Sequence, residues 1–547
     1  MGKKSLIFLL IILAIAGFFR LWQLDSIPPG LYPDEAINGN DALDTLQNKD
    51  FKLFYPENNG REGLFYWLLA FSFAIFGPSI WALKFVSALF GILTVLGVYF
   101  LTKELFGKDN QNKASCLALL ASFFLAISFW HVNFSRIGFR AILIPFILSF
   151  GFYFLFRGFR KQKIIDLIIS GIFFGLGFYT YISYRFIVLL AIIVLILWWL
   201  IYKKQNLQKK FLLYALYLVI AAFIISLPIG IYFLLNPGDF FGRAAGVSVL
   251  NAENPIYELG KSVILHLGMF NFYGDGNWRH NLAGSPQLLW PVGIFFLLGL
   301  IISIKDLIIS LRKKEYLLFA AYCLLLYWFF IMLLPGFLSA EGVPHALRVI
   351  SVIPVIYIFA AIGAYWLFEK IKVFYKTKRK LLIFYILACV FLLSITYAQF
   401  NKYFYLWAKN PETENAFSKN YVELGNYLNS LPDNLQKYVI VNQPGVPVPW
   451  PDGIPMPAQT LMFIERTIYG QPRAVYLLPK DLNQIKIGEQ AEIIFMSPDP
   501  DPILEVLLMF PDGNLREINK FWIYKTNKPV NLFEPENQES DCATCQE

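Results

Sequence analysis

Eleven apolar runs, each close to bilayer-spanning length, decide what this chain can fold into: residues 5–22, 81–102, 114–133, 138–156, 164–181, 186–202, 211–235, 287–304, 316–334, 346–369 and 381–400. About 20 apolar residues of helix cover the ~30 Å of hydrocarbon in a bilayer. Backbone groups in lipid must also satisfy one another, which leaves helices as the economical solution for runs of this kind. The residue balance agrees, because 16% of the chain is charged and 57% hydrophobic, against about 25% charged in soluble domains. The net charge of +9 comes as short basic clusters between the apolar runs. That is the pattern of cytoplasmic loops and argues against a nucleic-acid-binding face. The fold class is therefore a polytopic α-helical membrane protein of about eleven transmembrane helices, with a C-terminal external α/β domain.

The basic clusters set the direction of the spans. Lys3-Lys4, Arg157 to Lys163, Lys203 to Lys210, Lys305 to Lys314 and Lys370 to Lys380 are expected on the cytoplasmic side, and an even number of spans separates neighbouring clusters. The weaker cluster Lys103, Lys108 and Lys113 fits only if residues 63–77 do not cross. That run is about fifteen residues long and ends at Gly77-Pro78, so it is read as an interfacial helix. Residues 6–16 also resemble a signal-peptide core, with Ala14-Ile15-Ala16 as a cleavage site. Apolar residues continue through Trp22, which favours a retained span.

This topology gathers the polar residues on the outer side. The first external loop, 23–80, carries Asp34, Glu35, Asp41 and Glu62. A helix opening at Pro33 places Asp34, Asn38 and Asp41 on one face, at i, i+4 and i+7. Carboxylates in its first turn suit the positive end of the helix dipole, so Asp34 and Glu35 are expected ionised, able to act as a base or to hold a cation. The bland alternative is a helix start on a solvated loop. The next turn contains His131, Arg136 and Arg140, and a later one Tyr179, Tyr181, Tyr184 and Arg185. Guanidinium groups match phosphate oxygens in bidentate fashion, whereas the structural alternative is snorkelling or pairing with the acidic loop. Loop 236–286 is polar and glycine-rich, with Arg243, His266, Asp275, Trp278, Arg279 and His280. Loop 335–345 ends in Glu341-Gly342-Val343-Pro344-His345, and Arg348 follows one turn into the next span.

After residue 400 the texture becomes that of a soluble domain. A helix over 411–431, strands at Tyr438–Val441, Ala474–Leu478, Ala491–Met496 and Phe521–Lys525, and a helix over 458–467 are expected. The organisation is thus 1–400 transmembrane, 401–533 external α/β domain and 534–547 an acidic, disordered tail. Cys542 and Cys545 form a lone C-x-x-C in that tail. No glycine-rich phosphate loop, H-E-x-x-H or G-x-S-x-G is present in the domain.

These residues resemble the GT-C class of membrane glycosyltransferases, within it the branch of protein O-mannosyltransferases and lipid A aminoarabinose transferases. The likeness covers roughly 5–400. It rests on Asp34-Glu35 after the first span, Arg61-Glu62-Gly63-Leu64-Phe65-Tyr66-Trp67 opening the interfacial helix, Leu105-Phe106-Gly107, and Pro344-His345 with Arg348. The resemblance implies transfer of a sugar from a polyprenyl-phosphate donor to a glycan, lipid or protein acceptor at the external membrane face, with inversion. Asp34 would be the general base, with Glu35 assisting and able to help hold a divalent cation in members that use one. Arg136, Arg140, Arg185 and Arg348 would bind the carrier phosphate, with Arg61, Glu62, Glu341 and His345 completing the substrate site. One departure is that Arg140 stands where many relatives carry a second acid, a role left to Glu62 or Glu341. The implied location is the cell membrane, with the N-terminus cytoplasmic. A polytopic flippase or transporter of lipid-linked sugars is the rival reading, although it would favour charges at mid-membrane depth and related half-sequences.

Overall fold

Each apolar run of the sequence folds as a helix in the computed structural model, which describes residues 3–107, 110–375, 377–487 and 490–526. Helix α1 (Lys3–Leu21) is followed by α2 (Pro33–Asn48), the short hairpin β1–β2 (Phe54–Tyr55 and Arg61–Glu62) and α3 (Leu64–Phe76). Then come α4 (Ile80–Phe106), α5 (Gln111–Ile127), α6 (Phe129–Phe134), α7 (Leu143–Lys161), α8 (Ile164–Leu176), α9 (Ile187–Lys204) and α10 (Gln208–Leu235). Two further helices, α11 (Pro237–Gly246) and α12 (Pro255–Gly268), precede α13 (Trp290–Arg312), α14 (Tyr316–Ile331), α15 (Leu334–Phe337), α16 (Ile353–Lys372) and α17 (Lys378–Asn401). Among the described residues, nine helical segments are long and apolar enough to cross a membrane, and Gln111–Ile127 and Ile164–Tyr179 are shorter apolar helices. Together these correspond to the eleven runs, and the chain is a polytopic membrane protein.

Side-chain register fixes how the first helices run. Leu9 of α1 packs with Tyr99 of α4 and Ala118 of α5. One end further on, Arg20 of α1 donates to the carbonyls of Leu125 and Ala126 on α5 and to Ser135 Oγ. Hence α1 and α5 run side by side and α4 runs against them. The segments 22–79 and 128–142 therefore emerge at the same end of the bundle. Helix α3, at 13 residues, spans about 20 Å and is too short to cross. It exposes Phe71, Ile75 and Phe76 and stops at Gly77, whose φ of 77° lies in the region glycine favours. Elsewhere close backbone approach demands glycine. A Cβ at Gly299 of α13 would collide with the Phe359 carbonyl of α16, and one at Gly363 with the Phe295 carbonyl, a small-residue crossing of the kind membrane helices use.

The chain divides into two compact units, the first ending at Val422 and the second beginning at Glu423. The division falls later than residue 400 because the π-helical turn Lys402–Trp407 and α18 (Pro411–Ala416) pack on the first unit. Trp407 Nε1 donates to the Trp278 carbonyl at 2.8 Å and Lys402 Nζ to that of Pro286 at 3.3 Å. The single helix expected over 411–431 is interrupted: Ser418, at φ 52°, separates α18 from α19 (Lys419–Ser430).

The second unit is built on a five-stranded sheet. Its elements are β3 (Gln436–Ile440), the small hairpin β4–β5 (Pro447–Val448 and Ile454–Pro455), α20 (Ala458–Tyr469), β6 (Val475–Leu477), β7 (Ala491–Phe495), α21 (Pro500–Met509), β8 (Asn514–Ile518) and β9 (Phe521–Lys525). The strand order is β6-β3-β7-β9-β8. Strand β3 pairs parallel with β6 and β7, while β9 pairs antiparallel with β7 and β8. All five β7 residues are buried, as a strand central to the sheet requires. The tail 534–547, with Cys542 and Cys545, lies outside the described residues.

Candidate active site

Helix α2 begins where the sequence places it, with Pro33 in its first turn and Asp34 and Glu35 behind it. Its side chains then divide by angle around the axis. Asp34 and Asn38, four residues apart, line a cavity of about 440 Å³. Asn58 Nδ2, from the turn of the β1–β2 hairpin, donates to Asp34 Oδ1 at 2.6 Å. Asn38 is bonded on both sides of its amide. Nδ2 donates to the Gly138 carbonyl at 2.8 Å, and Oδ1 accepts from Arg61 Nη1 at 3.1 Å and Tyr66 Oη at 2.8 Å.

Glu35, one residue from Asp34, points away from that face. It is fully buried, does not line the cavity, and accepts the Gly138 N–H at 2.7 Å on Oε2. Burial pushes its carboxyl above the usual range, opposed by Lys84 and by the bond from Gly138. The expectation that both first-turn acids are ionised by the helix dipole thus neglects desolvation at Glu35. With Asn38 on its carbonyl and Glu35 on its N–H, the Gly138 residue is clamped to α2. The clamp sets the adjoining Phe139 and Arg140 on the cavity wall.

The arginines separate into those facing the cavity and those that do not. Arg140 lines it, pairs with Glu62 at 3.0 Å, and stacks on Tyr181 with 5.1 Å to the ring centroid. Arg61 also lines it, but is buried and paired with Asp41 at 2.7 Å. Burial raises the Asp41 carboxyl, with Arg61 opposing. Arg348 lines it and is held by Ser339, by the Glu341 carbonyl and by Glu341 Oε2 at 3.2 Å. Arg136 does not reach the cavity. It donates to the carbonyls of Phe19, Trp22, Gln23 and Ile27 at 2.7–3.2 Å, satisfying the end of α1 and the loop after it. Arg185 is 3.6 Å from Glu62 Oε1 and lies over Phe240 at 4.0 Å. It borders a separate, mainly apolar cavity of about 410 Å³ with Phe178, Phe233 and Phe241.

Loop 269–289 contributes Arg279, Asp275 and His280. Arg279 lines the cavity with its guanidinium 3.9 Å from the Tyr32 ring centroid. Among the described ion pairs none involves Arg279. Asp275 and His280 line the same wall as His345 and Glu341. His345 is placed through its backbone, whose N–H donates to His266 Nε2 at 3.1 Å. Burial lowers the His266 pKa to about 4, so its ring is neutral and accepts that bond while Nδ1–H bonds the Ser262 carbonyl at 2.9 Å. Trp278 is not on the cavity wall. A second cavity of about 770 Å³ shares Asn59, Tyr181, Glu341 and Arg348 with the first and extends along Gly238, Asp239, Gly242 and Gly246 of α11. The arrangement thus gathers the Asp34 carboxylate and several guanidinium groups around one polar hollow, with a second hollow beside it.

Residues 63–231 match the family model described as dolichyl-phosphate-mannose-protein mannosyltransferase. The chain is 28% identical over 238 residues to the putative mannosyltransferase YkcB of Bacillus subtilis (strain 168), a match covering 42% of this chain and 31% of that relative. In three dimensions it resembles ArnT from Cupriavidus metallidurans bound to undecaprenyl phosphate, with a TM-score of 0.54, 13% identity, and coverage of 96% of this chain and 98% of that one. It also resembles the apo Archaeoglobus fulgidus oligosaccharyltransferase, with a TM-score of 0.50, 13% identity, and coverage of 86% and 64%.

Proposed function

Since the chain has the GT-C glycosyltransferase fold, we propose that it transfers a sugar from a polyprenyl-phosphate donor to an acceptor hydroxyl at the external membrane face, with inversion at the anomeric carbon. The observation that carries this reading is the sharing of one cavity by Asp34 and the guanidinium groups of Arg140, Arg279 and Arg348. Displacing a phosphate from an anomeric carbon requires a base at the attacking hydroxyl and positive charge on the departing oxygens. Asp34 supplies the first. Its Oδ1 is held by Asn58, which fixes the carboxylate while leaving acceptor capacity for a substrate hydroxyl.

The leaving phosphate falls to Arg279 and Arg348, with Arg140 held behind by Glu62. Arg279 has the strongest claim, because its charge is offset by an aromatic face rather than by a carboxylate. Arg136 is removed from this role by its carbonyl bonds. Arg61, tied to Asp41, Asn38 and the Glu57 carbonyl, shapes the wall. Glu35 acts as a clamp rather than a second base. The ArnT relative was solved with undecaprenyl phosphate, and a lipid carrier of that class suits a cavity at one end of a membrane bundle.

The test is transfer by the purified chain from a polyprenyl-phosphate-linked hexose, following both carrier phosphate and glycosylated acceptor. Product of inverted anomeric configuration is expected. A product of retained configuration, or no turnover with any polyprenyl-phosphate sugar, would remove the reading.

A further inference from the structure

Three of the chain's four histidines converge on loops 269–289 and 335–348: His266, His280 and His345. His280 and His345 have ring centroids 4.8 Å apart, at an interplanar angle of 46°. Asp275 lies beside them, its Oδ2 accepting from His280 Nδ1 at 2.9 Å and from the Ala346 N–H at 2.7 Å. One ligating atom from each of Asp275, His280 and His345 falls within 4.8 Å of the other two. All three residues line the cavity that holds Asp34.

We infer that Asp275, His280 and His345 form a binding site for one divalent cation of the zinc class, open to the cavity. The donor set decides the class. Two imidazole nitrogens and one carboxylate oxygen suit zinc, whereas magnesium and calcium prefer oxygen alone. Bonds of 2.0–2.1 Å in a tetrahedron put ligand atoms about 3.3 Å apart, so closing the triad needs adjustments of about 1.5 Å or less. The frame around it is already fixed. Asp275 Oδ1 accepts from the Asn277 N–H at 2.8 Å, and Asp275 and His280 are 2% and 3% exposed. Three protein ligands leave one position for an oxygen from the cavity, as in zinc sites that work on substrate rather than brace a fold.

A loop staple made by Asp275 and His280 alone is the simpler alternative. It accounts for the 2.9 Å bond but gives no reason for a second imidazole against the first on a cavity wall. The assignment does not depend on the transfer reaction proposed above, since its readout is metal content.

The experiment uses the full chain in detergent with Cys542→Ser and Cys545→Ser, because thiolates at C-x-x-C spacing can themselves ligate zinc. The protein is stripped with chelator, given excess Zn²⁺, desalted and analysed by elemental mass spectrometry, with Co²⁺ absorption as a second readout. About one zinc per chain is expected in this background and with Asp34→Asn, falling to below about 0.2 with His345→Ala or His280→Ala. His345 is partly exposed, so its variant tests the site if the more buried His280 variant misfolds. Less than about 0.2 zinc in the parent protein, or unchanged content in a monodisperse His345→Ala, would overturn the site.

Discussion

Replacing Glu35 separates a clamp from a catalytic acid. The carboxylate accepts the Gly138 N–H at 2.7 Å in a fully buried setting. Glu35→Ala leaves that donor without a partner, a loss of about 1–3 kcal/mol. Glu35→Gln keeps an acceptor of the same reach and removes the ionisable group, so stability should change by less than about 1 kcal/mol. The pH dependence has a definite sign. Because burial raises the folded carboxyl, both states are protonated below the unfolded value of about 4.3. Above it the unfolded chain ionises first. Stability from this group therefore falls as pH rises from about 4.3 to the folded pKa, by about 1.4 kcal/mol per pH unit, and levels off beyond. Lys84 and Asp34 are the charged groups that modulate it. Thermal unfolding in detergent across pH 4–8, alongside a transfer assay, reads both effects. Glu35→Gln should flatten this part of the pH profile and retain transfer, while Glu35→Ala should unfold at lower temperature. A Glu35→Gln enzyme as inactive as Asp34→Asn, or a Glu35→Ala enzyme as stable as wild type, would refute the clamp.

Arg279→Gln should raise the apparent KM for the lipid-phosphate donor by about 10-fold or more, the worth of a charge-assisted bond of 1.5–3 kcal/mol, with little change in unfolding temperature; unchanged donor affinity would exclude it from the phosphate site. Arg136→Gln should act the other way, lowering thermal stability by freeing the carbonyls of Phe19, Trp22, Gln23 and Ile27 while leaving donor affinity intact in whatever folds, as a binding assay on the monodisperse fraction would show. Gly299→Ala should reduce the yield of monodisperse protein through a cost of about 1–3 kcal/mol, because its Cβ meets the Phe359 carbonyl; wild-type yield would mean that α13 and α16 can part at no cost.

The membrane bundle was legible because lipid enforces one rule on every span: long, apolar and helical. Residues 63–77 stood out by length and by Gly77-Pro78, and α3 is accordingly a 13-residue helix. The face shared by Asp34 and Asn38 followed from the helical period, and the same period carries Glu35 off that face. The helix dipole acts on both acids alike, whereas burial singles out Glu35. Arg136 and Arg140 looked equivalent in sequence, since nothing local reveals that carbonyls from α1 and its following loop need donors. Arg279, Asp275 and His280 were visible as polar residues in a long loop. Only tertiary packing carries that loop to the cavity that α2 also lines. In the second unit α21 was hidden by Pro500 and Pro502, which its first turn accommodates. Strand β8, at the sheet edge with two of its five residues exposed and none buried, lacks the apolar run that betrays a central strand.

Single-turnover sugar transfer by Asp34→Asn at saturating donor tests the central claim most directly, with donor binding measured on the same preparation. The account predicts a rate 10²–10⁴-fold or more below wild type, the scale of a lost general base, with donor affinity preserved. A wild-type rate in Asp34→Asn, or a defect traceable wholly to donor binding, would contradict it.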